Sequence, residues 1–393
     1  MLQRCYKFRL YPSRTQQQDL VENLESCRWL FNHMLQRKGE GWKWSQIQGE
    51  IPSLVKEHPF LCEVHSKTRQ YVMWQLKANI KALGQLKKQG RRVGNIRFRG
   101  KGRFKTFVYN QSGFEVRGKK LWLSKIGEIP LKQHRDIIGV VKQVVVKRTP
   151  TNKWFAVFCC DVDFKSYQPK TAVVGIDLGV EHFAVDSDGN YAENPLYLKK
   201  ALKKLNREQR RLSRKQKGST NRFKQKFKVA RVHEKVEDAR HDFLHKLSTY
   251  YVRNYGVIAV EDLSVKELAE KQYNSRNILD SSWSTFVGML DYKAESAGVQ
   301  LLKVDPKNTT QNCSVCGSYV YKPLWIREHK CPQCGIQLDR DYNASRNIIQ
   351  KALSELGQEL SESTLAEIQP LSESIWFGQA ESMSQEAPSE RVE

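Results

Sequence analysis

The sequence predicts a multidomain chain of mixed α+β and α/β class. Helices and a small antiparallel β-domain come first, then an alternating βββαβα domain with an inserted four-cysteine module. Three observations carry that reading. At 393 residues the chain can fold as two or three domains of about 100–200 residues each. The apolar spacing is helical before about Gly113, strand-like from there to Val162, and alternates between the two kinds after Val173. Acidic motifs end apolar strand-like runs in the second half, and Cys313, Cys316, Cys331 and Cys334 precede the last of them.

Residues 3–10 (with Cys5, Tyr6, Phe8 and Leu10) predict a strand, and Ser13 with Gln16 three positions on predicts a capping box that opens a helix. That helix carries Leu20, Leu24, Cys27, Leu30 and Phe31 at three- and four-residue spacing. A second helix is expected over 67–89, running into a Gly/Arg segment (87–105) with nine basic residues and no acid. Phe98 and Phe104 interleave with that segment and Phe107 follows it, a pattern that favours nucleic acid over a merely solvated charge run. Short strands follow at 120–123, 140–146 and 154–162, and Tyr167 to Lys170 reads as a linker. Strands at 173–179 and 182–186 meet at a Gly-containing turn. Helices are expected at 196–217 and 222–254, a strand at 257–260, a helix at 284–297 and a strand at 299–304. Between Lys199 and Lys228 there are fourteen basic residues and one acid, Glu208, a density that only water or phosphate can take up.

Lys plus Arg number 66 against 42 Asp plus Glu, giving a formal charge of +24 and a pI near 9.6, which points to a polyanionic partner. Residues 355–393 hold nine Glu, no Asp and one basic residue, Arg391, for a net −8, which leaves +32 on the preceding 354 residues. This tail is expected to be a disordered acidic extension. The sequence has no run of about 18 apolar residues and no signal-peptide core at its start, so a membrane protein is not expected. The expected location is the prokaryotic cytoplasm, in association with the nucleoid. Paired CxxC motifs and the neighbouring Cys159 and Cys160 fit a reducing compartment and a metal site better than disulfides.

The chemistry is concentrated in three acidic motifs: Gly175-Ile176-Asp177-Leu178-Gly179, Val260-Glu261-Asp262-Leu263, and Asp339-Arg340-Asp341-Tyr342-Asn343-Ala344-Ser345. Strand-end Asp177, with Asp186 and Asp188 on the following hairpin, is joined by strand-borne Glu261 and by Asp341 just before a helix. The glycines beside Asp177 are read as letting metal or phosphate approach the backbone. Acids on the central strands of a βββαβα order describe an RNase H-like fold. Three carboxylates can hold two Mg²⁺ (or Mn²⁺) ions about 3.5–4 Å apart for phosphodiester cleavage, with Asp177 as the bridging ligand. Asp262 competes with Glu261 and Asp339 with Asp341. Strand phase and position before the helix favour Glu261 and Asp341. The four cysteines fit one structural Zn²⁺ with a closed tetrahedral shell, which leaves His329 no ligand role. His233, His241 and His245 lack the Glu of a zincin helix and read as a surface near nucleic acid. Trp283 and Phe286 read as core, with base stacking as the alternative.

These motifs resemble the TnpB family of transposon-encoded RNA-guided nucleases. The likeness also rests on Arg9-Leu10-Tyr11-Pro12, Ser282-Trp283 with Phe286, Pro306 and Thr309-Thr310-Gln311, and it extends to about Gln350. The resemblance implies a β-barrel-like wedge domain (1–12 and 106–168) with a helical recognition insertion (13–105). A RuvC nuclease domain (171–305 and 337–354) with a zinc ribbon (306–336) follows. It also implies a guide RNA transcribed from the transposon end and cutting of double-stranded DNA beside a target-adjacent motif. The protein would be a monomer in the ribonucleoprotein, with a dimer as the alternative.

The basic residues expected at nucleic acid are Arg4, Lys7, Arg9, Arg97, Arg99, Lys101, Arg103, Lys105, Lys203, Lys204, Arg207, Arg210, Arg211, Arg214, Arg222 and Lys224. Gln75, Asn110 and Gln111 are the expected readers of the target-adjacent motif, because amides can bond adenine bidentately. Three competing readings remain open from the residues: a strand-transferring transposase, an unguided structure-specific nuclease, and a guided DNA-binding repressor that does not cut.

Overall fold

A computed structural model describes residues 2–162, 171–265, 268, 270, 275–323 and 325–357. The expected linker at 167–170 and the acidic tail from 358 onward lie outside them. Two compact units divide the chain, one within residues 1–165 and one within 166–393.

The first unit begins with strand β1 (Leu2–Leu10), followed by helix α1 (Arg14–Gly39), α2 (Trp44–Glu57), a 3-10 turn (Pro59–Glu63) and α3 (Ser66–Lys88). Six strands complete it: β2 (Thr106–Asn110), β3 (Phe114–Arg117), β4 (Lys120–Leu123), β5 (Gly127–Lys132), β6 (Val140–Arg148) and β7 (Trp154–Val162). They form one antiparallel sheet in the order β2-β6-β7-β1-β5-β4-β3. The two edge strands are consecutive in the chain, and the Tyr109 hydroxyl of β2 donates to the Ser124 carbonyl beyond β4 at 2.8 Å. The sheet therefore curls toward a closed barrel. Its inward face is the alternate set Tyr6, Phe8 and Leu10 on β1 and Trp154, Ala156, Phe158 and Cys160 on β7, all buried.

The capping box at α1 is present: Ser13 Oγ accepts from Gln16 N at 3.2 Å and Gln16 Oε1 from Ser13 N at 3.0 Å. Helix α2 is an element that periodicity did not bring out. Ile47, Ile51 and Leu54 make its buried stripe, but Pro52 sits inside it and obscures the pattern. Residues 89–105 form no helix or strand, and α1 clips this segment in place. Arg28 and Asn32 donate to the Arg99 carbonyl, Asn32 accepts from Arg99 N, and Glu25 accepts from Gly102 N at 2.8 Å. Phe104 and Phe107 turn inward to the core, so of the three interleaved phenylalanines only Phe98 stays exposed.

The second unit contains β8 (Val173–Asp177), β9 (His182–Asp186), β10 (Tyr191–Glu193), α4 (Tyr197–Ser213), α5 (Thr220–Asn254) and β11 (Val257–Glu261). After these come α6 (Ser275–Ser281), α7 (Trp283–Ala297), β12 (Gln300–Val304), β13 (Glu328–Lys330), β14 (Gln337–Asp339) and α8 (Arg340–Glu355). Five strands make a mixed sheet in the order β10-β9-β8-β11-β12. The first three pair antiparallel, and β8, β11 and β12 pair parallel. The central strands are continuously apolar because both faces are covered. Val174, Ile176, Ile258 and Val260 pack toward α5 and α7, where Trp283 and Phe286 are core residues, and Ala259 and Val304 pack toward α8.

Gly175 allows the approach of α8: a Cβ there would collide with the Ser345 carbonyl and the Ile349 amide. This glycine therefore serves helix packing, which corrects the expectation that it admits metal or phosphate. Glu208, the lone acid between Lys199 and Lys228, is buried and accepts from Gln225 Nε2 at 2.7 Å, with Arg207 and Arg211 beside it.

Candidate functional site

Strands β8 and β11 run parallel with Ile176 opposite Val260, so the next step along each strand sets Asp177 beside Glu261 at their carboxyl ends. Neighbouring strands lie about 4.8 Å apart, which brings the two carboxylates within reach of each other. Asp341 arrives from the first turn of α8, and a Cβ on Gly179 would lie 3.9 Å from its Oδ2. Burial, then the charges of Glu261 and Asp341, push the Asp177 carboxyl well above its ordinary value. Burial also raises Glu261, against a hydrogen bond from Thr309 and the charge of Lys351. Asp177 and Glu261, neighbouring carboxyls that both resist ionising, are donors that a divalent cation relieves.

The two rival acids separate by what they bond. Asp339 is the N-cap of α8, its Oδ1 accepting from Asp341 N at 2.9 Å and Tyr342 N at 3.0 Å. Asp341 lies inside the first helical turn, because the helix begins at Arg340 and not after Asp341 as the sequence pattern placed it. Asp262 is exposed, whereas Glu261 is half-buried and takes the Thr309 hydroxyl on Oε1 at 2.5 Å. Asp186 is a turn residue, bonded by the amides of Asp188 and Asn190, and it stands apart from the three acids in role.

Three further residues engage the acids, and periodicity gave no sign of Arg327 or Thr309. Arg327 reaches Asp341 Oδ2 at 3.1 Å and Glu181 at 2.7 Å, and Arg340 bonds Asp341 Oδ1 at 3.2 Å. Thr309 is buried, and its single hydroxyl proton has Glu261 Oε1 at 2.5 Å as the nearer acceptor and the Pro306 carbonyl at 2.9 Å. Proximity through a folded loop, with no local pattern, brings Arg327 and Thr309 to the site.

The four cysteine sulfurs all lie within 4.8 Å of one another. Cys313 to Cys334 is 3.7 Å and Cys316 to Cys331 is 3.5 Å. Tetrahedral zinc with bonds of about 2.3 Å needs sulfur separations of about 3.8 Å, so the donor set fits. Each CxxC forms the same turn: Gly317 N donates to the Cys313 carbonyl and Gly335 N to that of Cys331, with both glycines at positive φ. Hydrogen bonds with Ser318 bring the Cys316 thiol down to about 6. His329 is buried against Lys322 and lies outside this group, as does the His241 and His245 pair, whose rings are 6.2 Å apart. From α8, Asn343 and Asn347 bond the Asn312 carbonyl and Gln350 bonds that of Ser314, which fixes the first knuckle to the helix that carries Asp341.

Known proteins are similar to this chain along most of its length. A "Putative RNA-guided DNA endonuclease" of Streptomyces pristinaespiralis is 32% identical over 367 residues, covering 90% of this chain and 90% of its own length. This chain belongs to the TnpB family. The relative InsQ of Escherichia coli, also a "Putative RNA-guided DNA endonuclease", is 30% identical over 369 residues, covering 88% of this chain and 91% of its own. Family profiles described as "Probable transposase", "Cas12f1-like, TNB domain" and "Helix-turn-helix domain" match residues 157–272, 283–348 and 1–46. A solved Cas12f1-sgRNA-target DNA complex aligns with a TM-score of 0.36 at 17% identity, covering 89% of this chain and 99% of that one.

In this TnpB chain most of the basic candidates are exposed. Arg4, Lys7, Arg97, Arg99, Lys101, Arg103 and Lys105 are exposed in the first unit, and Arg9 is half-buried beside Phe155. In the second unit Lys203, Lys204, Arg207, Arg210, Arg211, Arg214 and Lys224 are exposed. Arg222 differs: its guanidinium donates to the Leu212 and Lys215 carbonyls, so it closes the end of α4. Gln75 lies on α3, Asn110 ends β2, and Gln111 follows at φ 66° with its amide on the Lys142 carbonyl.

Proposed function

We infer that this chain is an RNA-guided DNA endonuclease that hydrolyses phosphodiester bonds of target double-stranded DNA beside a short target-adjacent motif. The observation that carries the reading is the convergence of Asp177, Glu261 and Asp341, from three different elements, at one end of the parallel β8–β11 pair. The names of the two relatives supply the substrate class and the guide. The strand order β10-β9-β8-β11-β12 supports an RNase H-like, RuvC-type nuclease domain, and the curled sheet of the first unit supports a wedge domain.

Asp177, Glu261 and Asp341 would together hold the two Mg²⁺ or Mn²⁺ ions as hard oxygen ligands. When bound, the ions supply an activated water and stabilise the leaving 3′-oxygen. Thr309 fixes the rotamer of Glu261, and Arg327 and Arg340 hold Asp341 in place. The four cysteines hold one structural zinc, and α8 couples that module to Asp341. Exposed Lys and Arg grip guide and target backbones, which need charge and not sequence reading. Gln75, Asn110 and Gln111 are assigned to the target-adjacent motif.

The test is expression with the native downstream flanking DNA, sequencing of the RNA that copurifies, and Mg²⁺-dependent cutting of a guide-matched duplex. A discrete RNA, and cutting lost in Asp177→Ala, is the expected result. Cutting that needs no RNA would return the protein to the unguided nucleases or transposases, and bound RNA without cutting would make it a repressor.

A further inference from the structure

We propose that Cys5 and Cys159 form a redox-modification site: two facing thiols that close to a reversible disulfide, with a low-molecular-weight disulfide of the glutathione class as oxidant. The site lies outside the nuclease chemistry and does not rest on it. The two residues are 154 positions apart in sequence yet directly opposed in the β1–β7 ladder, with their sulfurs 3.2 Å apart. Directly opposed residues of antiparallel strands have Cα atoms about 4.5 or 5.5 Å apart, and both separations lie within the span of a disulfide. Closure is therefore chiefly a matter of side-chain rotation that brings the facing sulfurs to bonding distance.

Access favours this pair over Cys27 and Cys160, and the exposed Cys62 has the Val55 carbonyl as its partner instead of a thiol. Cys5 is exposed and Cys159 half-buried, whereas Cys27 and Cys160 are buried, Cys160 on the inward face of the sheet. Burial and the facing thiol push Cys5 up to about 11, so the thiolate is scarce at neutral pH and the first step is slow. In that step the Cys5 thiolate attacks one sulfur of the oxidant, and the leaving thiolate takes up the proton that Cys5 gave away. The Cys159 thiolate then attacks the Cys5 sulfur of the mixed disulfide and expels the second small thiol, which takes the Cys159 proton. Two protein thiols become one disulfide while one small disulfide becomes two thiols, with nothing left over.

The bond would close a loop across nearly the whole first unit and fix the register of β1. The same outward face of β1 carries Lys7 and Arg9, whose cationic groups lie 4.5 and 5.2 Å from the Phe155 ring centroid. Oxidation thus locks a strand that presents basic side chains.

The test treats the reduced, zinc-loaded full-length protein with glutathione disulfide in mildly alkaline buffer and maps linked peptides by mass spectrometry. A Cys5–Cys159 link is expected in the wild type and in Cys160→Ser, absent from Cys5→Ser and Cys159→Ser, and reversed by dithiothreitol. The unfolding midpoint of the first unit should rise by on the order of 5–10 °C on oxidation. A glutathione adduct on Cys5 that never resolves, or a link from Cys5 to Cys160, would overturn the proposal.

Discussion

Replacing each aspartate of the Asp339-Arg340-Asp341 motif by alanine separates capping from chemistry, because the two carboxylates do different work two residues apart. Asp339 accepts the amides of Asp341 and Tyr342, so Asp339→Ala leaves two amides at the start of α8 without their partner. Loss of such a cap costs about 1 kcal/mol, within a range of about 0.5–2. That lowers the folded-to-unfolded ratio by about fivefold and the melting midpoint by about 2–4 °C for a unit of this size. Helix α8 is still held by Gly175 and by Asn343 and Asn347, so Asp341 stays in place and cutting should fall by no more than about tenfold. Asp341→Ala removes a charge that opposes ionisation of Asp177 but also the partner of Arg327 and Arg340, so these effects offset and the metal-free protein should melt close to wild type. Its cutting should fall by about a thousandfold or more, the several kcal/mol that a metal-held transition state is worth. The assay pairs thermal melts in chelator with single-turnover cleavage of a guide-matched duplex. An Asp339→Ala protein that is dead beside an Asp341→Ala protein that cuts would refute the assignment.

Four further outcomes follow from the same contacts. Thr309→Val removes the 2.5 Å bond to Glu261, which should raise that carboxyl further and move the acidic limb of the pH–cleavage profile upward; an unmoved limb would count against the positioning role. Arg327→Ala frees Asp341 from a guanidinium that competes with a cation, so half-saturating Mg²⁺ should fall in a metal titration, and a rise would sink the idea. Cys334→Ser should cut zinc content measured by metal analysis and destabilise the module around α8, whereas full zinc retention would exclude the four-thiolate shell. Burial raises Asp186 from 3.8 to about 6, so the folded state holds its proton more tightly than the unfolded chain. That stabilisation is present below about pH 4 and lost as pH rises to about 6, by about 2–3 kcal/mol. Asp186→Asn should show no such loss over that window in denaturant melts, and parallel wild-type and variant profiles would reject the assignment.

Much of the second unit was legible because its chemistry and its folding use the same short segments. The apolar runs ending at Asp177 and Glu261 are strands with both faces buried, so their patterns announce the strand and the acid at its end together. The cysteine knuckles are equally local, since ligand spacing and the following glycine fix the turn. The capping box at Ser13 was readable for the same reason. Helix α2 was hidden by Pro52, and Phe104 and Phe107 looked like aromatic spacers in a basic run although they are core residues. A phenylalanine in an arginine-rich segment reads alike whether it faces water or the core.

The sequence by itself determined the acids, the four thiols, the charge excess and most helices and strands, because each is a property of residue type or of spacing within one segment. Only the tertiary structure decided that Asp339 caps a helix and Arg222 bonds helix carbonyls, and that Gly175 serves helix packing. It alone brought Arg327 and Thr309 to the carboxylates and Cys5 to Cys159 across 154 positions. The physical reason is that hydrogen bonds, ion pairs and thiol contacts act over a few ångströms in space, while pattern and propensity act over a few residues along the chain.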